Sequence, residues 1–210
     1  MIIAIDGPAA AGKGTLARRL ADHLGYAYLD TGSLYRAVAV MVLRRGDNPE
    51  DASAASDAAR NLDMELLGSP ELRTAAAGAA ASKVAAIPDV RAALTDFQRQ
   101  FASHPPGKAG GAILDGRDIG TVICPDADRK LFVTASVEAR AERRFKELQE
   151  RGEAAIYARV LQEMRERDAR DAGRSDAPMK QADDAVLIDT SSMTPDEAFA
   201  AALGVIGDAG

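Results

Sequence analysis

Gly7-Pro8-Ala9-Ala10-Ala11-Gly12-Lys13-Gly14-Thr15 joins a short apolar run, Ile2 to Ile5, to a segment from Gly14 to Leu24 with a helical period. In that segment Leu16, Leu20, His23 and Leu24 fall on one side and Arg18, Arg19 and Asp22 on the other. The run before it is β-branched and bounded, as a strand covered on both faces requires. A GxxxxGK core between strand and helix matches the loop that cradles phosphate groups. Glycines at positions 7 and 12 permit backbone angles closed to other residues, so successive N–H groups can turn inward. The helix that follows adds its positive end to the same anion site. Lys13 is long enough to reach the outer phosphates of a nucleotide. A glycine turn ahead of an ordinary helix would not need the lysine or the small polar residue after it.

Working outward, Tyr26 to Leu29 reads as a second strand and Ser33 to Arg45 as a helix stopped by Gly46. This βαβα opening predicts an α/β fold with a parallel central sheet. Residues 47–110 are alanine-rich and mostly helical, with a weak strand candidate at Leu62 to Leu67 and a helix through Ala75 to Ala86. Pro105-Pro106-Gly107 and Gly110-Gly111 then interrupt the chain. Strands are expected at Ala112 to Leu114, Lys130 to Thr134 and Ala185 to Ile188. Charged amphipathic helices are expected at Ser136 to Gln149 and Ala154 to Ala172. The last helix opens on Thr194-Pro195-Asp196-Glu197, a capping box with proline at its first position. The expected organisation is one domain: a core of about 1–40 and 108–210, an insert of about 41–107, and a lid of about 152–178.

Composition excludes several classes. The 210 residues are 47% hydrophobic and 28% charged, enough apolar surface for a core and unlike a disordered or fibrous chain. A net charge of −6 provides no overall basic field toward nucleic acid or an anionic membrane. The lone cysteine, Cys124, cannot form an intrachain disulfide and suits a reducing compartment. The apolar amino terminus is too short for a signal peptide, and no run approaches the ~18 apolar residues of a membrane span. A cytoplasmic, monomeric protein without nucleic-acid or membrane partners is expected.

Three further clusters carry candidate chemistry. Asp30-Thr31-Gly32-Ser33-Leu34-Tyr35-Arg36 follows the second strand. Its hydroxyls and Arg36 could hold an acceptor phosphate; equally, Thr31 or Ser33 could cap the next helix. Asp115-Gly116-Arg117-Asp118 lies beyond a strand's carboxyl end, where ligands bind in open α/β sheets. Asp115 there could order magnesium or its waters, and Arg117 could bind phosphate; a self-contained ion pair is the plainer alternative. Arg165, Arg167, Arg170 and Arg174 alternate with Asp168 and Asp171, and positions 167, 170, 171 and 174 share one helical face. Alone this reads as a solvated surface. Beside a phosphate loop it reads as a lid whose arginines stabilise a transferring phosphoryl group. Gly173 and Pro178 are candidate hinges.

The GKGT ending, with Gly14 between Lys13 and Thr15, resembles nucleoside monophosphate kinases rather than GTPase switches or motor ATPases. With LDTGSLYR, SKVAAIPDVR, LDGRDIGTVICPDADRKLFVTAS, RERDARDAGRSDAPM and DAVLIDTSS in that order, nearly the whole chain is similar to bacterial-type cytidylate kinases. The resemblance implies a three-layer P-loop kinase fold with an acceptor-binding insert and an arginine lid. It implies ATP and magnesium as cofactors and transfer of the γ-phosphate of ATP to CMP or dCMP. Gly7 to Thr15 would hold ATP, with Thr15 and Asp115 at the metal through water. Lys13, Asp115, Arg117, Arg170 and Arg174 would be catalytic. Thr31, Arg36, Arg117 and Arg174 would border the acceptor phosphate, Ser82, Arg91 and Asp118 would read cytosine, and Arg167 and Asp171 would sit at the ribose. Read without the family, Ser82 is an inert residue of an alanine helix and Arg91 a helix-surface charge. An aspartate accepting from the cytosine amine would oppose the uracil carbonyl. Between Leu62 and Ser82 the chain is shorter than the family's usual insert, so the small sheet of that insert is expected to be missing. The rival readings are a P-loop kinase for another small acceptor such as UMP, and a nucleotide-dependent switch without transfer.

Overall fold

The computed structural model describes residues 1–207. Five strands form one sheet: β1 Ile2–Asp6, β2 Ala27–Asp30, β3 Ala112–Gly116, β4 Arg129–Thr134 and β5 Val186–Asp189, in the order β2-β3-β1-β4-β5. β1 runs parallel to both β3 and β4, and β4 parallel to β5. The register sets Asp6 opposite Gly116 and Ile5 opposite Asp115, which brings the carboxyl ends of β1 and β3 together. A parallel order with β1 central is what the buried apolar character of Ile3, Ala4 and Ile5 demands, since a solvated face would expose alternate residues.

The helices are α1 Lys13–Leu24, α2 Thr31–Arg44, α3 Ala52–Arg60, α4 Ala75–Val84, α5 Pro88–Ser103, α6 Val137–Glu150, α7 Tyr157–Ala172 and α8 Pro195–Gly207. The chain divides into two compact units, Met1–Leu29 with Pro105–Gly210, and Asp30–His104. In the first, Leu16 and Leu20 of α1 and Ile206 of α8 pack with Ile3, Ile5, Ile113, Leu131, Val133 and Ile188 of the sheet. Each such side chain contributes about 1.5–3 kcal/mol when fully buried. α8 starts as its sequence requires: Thr194 N–H donates to the Glu197 carboxylate (2.7 Å), and Glu197 N–H donates to the Thr194 hydroxyl (3.2 Å).

The second unit is helical, with Leu34, Val38 and Val42 of α2 packed on alanines of α3 and α4 and on Leu94 of α5. Among the described residues it has no strand after Asp30. The strand expected at Leu62 to Leu67 is instead a 3₁₀ turn, Met64–Gly68. The apolar–polar alternation there loses to a local cap, because Asp63 accepts from Glu65 N–H (3.0 Å) and turns the backbone. Neither Thr31 nor Ser33 caps α2. Asp30 occupies the cap position without a side-chain bond, Thr31 is the first helical residue, and the Ser33 hydroxyl donates to Asp30 O (2.6 Å).

Candidate active site

The phosphate loop is shaped by its glycines. Gly7 has φ 141° and a Cβ there would lie 1.9 Å from Val133 O, so any side chain would collide with β4. Gly12 caps α1 with φ 91°, a left-handed angle that costs glycine little. Lys13 is buried; its ammonium donates to Pro8 O (2.9 Å) and lies 3.7 Å from Asp115 Oδ1. The ammonium is thus held between the loop and Asp115 of β3. Behind the loop, the Thr190 hydroxyl donates to Ala11 O (2.9 Å), and Arg143 donates to Thr190 Oγ1 (3.0 Å). A cleft of about 280 Å³ beside the loop is lined by Gly12, Thr15, Arg19, Arg143, Thr190 and Pro195, among others.

Asp115 and Asp118 are buried at the end of β3. Arg117 turns away from both aspartates: its Nε donates to Asp171 Oδ2 (3.1 Å) and its Nη1 to Gly116 O (3.2 Å). The expected alternative of a self-contained ion pair is therefore replaced by two pairs that leave the cluster, Asp115 with Lys13 and Arg117 with Asp171. After Asp118 the chain makes one π turn, Ile119–Ile123, whose first two N–H groups donate to the Asp6 carboxylate, each at 2.7 Å. Burial pushes the Asp6 carboxyl up to about 6, against the lowering effect of those two backbone bonds. Nothing in the sequence pattern singles Asp6 out, because it reads as the last residue of a strand.

Asp171 is the hub of the arginine cluster. It is 1% exposed and pairs with Arg117, with Arg174 and, more distantly (3.9 Å), with Arg167. Burial pushes its carboxyl up, but the guanidiniums of Arg117, Arg174 and Arg167 outweigh that and hold it below the ordinary aspartate value. Arg174 does not ride on the helical face that its spacing suggested. α7 ends at Ala172 with Gly173 as its cap, and Arg174 folds back to Asp171 from the following turn. Arg170 remains on α7 and is exposed.

Within the second unit, Arg36 donates to Leu72 O (2.7 Å) and lies along α4, where a Cβ on Gly78 would come within 3.3 Å of its Nη1. That contact explains the one glycine in the run Ala75 to Ala81. Arg91 is 4% exposed, donates to Ala85 O (3.3 Å) and stacks 5.6 Å from the Tyr35 ring centre. Ser82 is also buried. The surface-charge reading of Arg91 is thus corrected: the helix is amphipathic with its arginine on the inner face. Thr31, Arg36, Ser82 and Arg91 belong to this unit, while Lys13, Asp115, Arg117, Asp118, Arg167, Arg170, Asp171 and Arg174 belong to the other.

The parallel sheet, the loop at the carboxyl end of its central strand and the clustered arginines define a P-loop phosphotransferase. A solved protein of unassigned function from Eubacterium ventriosum shares the fold over 99% of this chain and 98% of its own (TM-score 0.58, 16% identity). The Cytidylate kinase family model matches residues 3–207, and the chain belongs to that family. It is 64% identical to a cytidylate kinase of Paramagnetospirillum magneticum and 62% identical to one of Rhodospirillum rubrum. Each alignment spans 98% of this chain and 97% of the relative.

Proposed function

We propose that this chain transfers the γ-phosphoryl group of ATP to CMP or dCMP, releasing ADP and CDP or dCDP. Within a member of the cytidylate kinase family, the observation that carries the reading is Lys13 held between the loop and Asp115 at the ends of β1 and β3. An acceptor phosphate oxygen attacks the γ-phosphorus while the bond to the β-phosphate oxygen breaks. No covalent enzyme intermediate is needed. Catalysis is positioning plus neutralisation of charge on the transferring group.

The loop N–H groups and Lys13 hold the triphosphate, and the cleft beside Thr15 and Pro195 has room for the base. Arg170 reaches the transferring group. In the first unit the candidates are Arg117 and Arg174 for the acceptor phosphate, Arg167 and Asp171 for its ribose and Asp118 for its base; in the second unit they are Thr31 and Arg36 for phosphate and Ser82 and Arg91 for cytosine. Among the described residues no three His, Cys, Asp or Glu side chains form a cluster that could hold a metal. A magnesium ion carried in on the triphosphate would fit these residues, and Thr15 and Asp115 would hold it through its waters. When bound it would neutralise the β- and γ-phosphate oxygens. No described helix is long and apolar enough to cross a membrane. The lone Cys124 is buried and in no disulfide, which fits a reducing compartment.

Release of ADP, followed in a coupled assay with Mg-ATP and each of CMP, dCMP, UMP and AMP, tests the reading. Fast turnover on CMP and dCMP with little on the other two is expected. Turnover favouring UMP, or none on any of the four with ATP still bound, would overturn it.

A further inference from the structure

Arg140 of α6 is an arginine that the reading above leaves without a role, yet it is 5% exposed and carries four directed bonds. Its Nε donates to Ala135 O (2.9 Å) at the end of β4. Its Nη1 donates to Ala9 O of the phosphate loop (3.3 Å) and to Asp168 Oδ1 of α7 (3.1 Å), and its Nη2 donates to Asp168 Oδ2 (2.6 Å). One rigid guanidinium thus joins the sheet, the loop and the arginine-bearing helix. Lysine could not reproduce this, having a single nitrogen at the end of its chain.

The bond to Ala9 O bears on phosphate binding through peptide geometry. In a planar trans peptide the C=O of one residue and the N–H of the next point in opposite directions. Holding the carbonyls of Ala9, Ala10 and Ala11 outward therefore turns the N–H groups of Ala10, Ala11 and Gly12 toward the phosphate side. Arg140 takes the first of these carbonyls, Arg143 the second (3.5 Å) and Thr190 the third (2.9 Å). The same Arg140 fixes the rotation of α7 through Asp168, which lies on the helix between Arg167 and Arg170. Asp171, one turn further, is fixed separately by Arg117. α7 is therefore pinned on both sides of the exposed Arg170.

We propose that Arg140 and Asp168 form a positioning pair that couples the arginine-bearing helix α7 to the carbonyl side of the phosphate loop. The pair sets the donors below the transferring group and the cation above it in one frame. Apolar packing alone already attaches the two, since Ala9 and Ala10 rest against Ala141, Val160 and Met164. The ion pair contributes direction, which burial of apolar area does not supply. Its catalytic consequence rests on the kinase reading above, whereas the coupling itself does not.

The test combines Asp168→Asn, Arg140→Lys and the double variant, read by steady-state kinetics with CMP and by amide hydrogen exchange. Asp168 does not touch the loop, so a faster exchange of loop amides 10–12 in Asp168→Asn reports coupling through Arg140. We expect that change, a fall in kcat of about tenfold, and a KM for ATP within about threefold of wild type, because binding survives while alignment is lost. The double variant should be no slower than Arg140→Lys alone, as for residues acting as a unit. Exchange confined to α6 and α7 would overturn the proposal. So would losses that multiply in the double variant, or a lowered melting temperature with unchanged kcat. If the wild-type chain turned over no nucleoside monophosphate, the kinase reading would fail while loop exchange in Asp168→Asn still decided the coupling.

Discussion

The two compact units carry their candidate residues in different ways. In Met1–Leu29 with Pro105–Gly210, the phosphate loop is nine consecutive residues whose roles follow from backbone geometry. In Asp30–His104, the candidate residues Thr31, Arg36, Ser82 and Arg91 are scattered over three helices, and each is held by packing. Phosphate needs only N–H groups and a cation, which a short motif can deliver. A base edge needs particular donors and acceptors at fixed distances, which only a folded surface can deliver. The lesson is that a loop defined by its backbone is visible in a sequence, whereas residues such as Ser82 and Arg91, buried by tertiary packing, are hidden in it.

Lys13→Ala attacks this contrast at its strongest point. On the proposed reading the ammonium between Pro8 O and Asp115 serves every acceptor alike, so kcat should fall about a thousandfold with CMP and dCMP equally, as when an electrostatic stabiliser of the transition state is removed. The variant should keep its melting temperature to within a few degrees. A loss with one acceptor and not the other would break the division of labour.

The same contrast decides how much was legible. The parallel sheet, the capping box at Thr194 and the glycines of the loop were readable because each depends on neighbours in sequence. The turn at Met64–Gly68 was misread because a cap at Asp63 overrode the alternation around it. Arg91 and Ser82 give no local signal at all. A buried arginine looks like any other on a helix until Tyr35 and Ala85 close over it, and only likeness to a family promoted it. Arg174 was placed on a helical face that ends two residues earlier. Asp6, Arg140 and Thr190 were missed because they act through backbone atoms far away in sequence, at Ile119, Ala9 and Ala11.

Gly78→Ala sharpens the comparison in the second unit, where the effect should pass through packing. Alanine is favoured over glycine in a helix by about 1 kcal/mol, so stability should hold or rise slightly. The new methyl group would press on Arg36 Nη1 at 3.3 Å, and that nitrogen is already committed to Leu72 O. The KM for CMP should therefore rise by roughly tenfold while the KM for ATP stays within twofold, since only uniform acceptor binding is disturbed. Equal rises in both constants would show that the second unit does not serve the acceptor alone.

The smallest effect falls on Asp6, the residue through which the loop strand holds the turn that carries Asp118. Its carboxyl sits at about 6 in the folded chain against an ordinary 3.8, with burial as the main cause, so the fold prefers it protonated. Stability from this group is fully present below the unfolded value and is lost as pH rises through the folded one, because the native state binds the proton more tightly. The gap corresponds to about 3 kcal/mol in all, of which about 1 kcal/mol falls between pH 5 and pH 6.5. Asp171 does not confuse this window, since its carboxyl is held below the ordinary value and its contribution is lost only in more acid solution. Urea unfolding of wild type and Asp6→Asn across that range should give a difference in stability that shifts by about 1 kcal/mol, with the wild type losing ground as pH rises. A difference independent of pH would mean that the two backbone donors at 2.7 Å outweigh burial and keep Asp6 ionised throughout. The turn carrying Asp118 would then rest on a permanent charge, and its contribution to stability would not change with pH over that range.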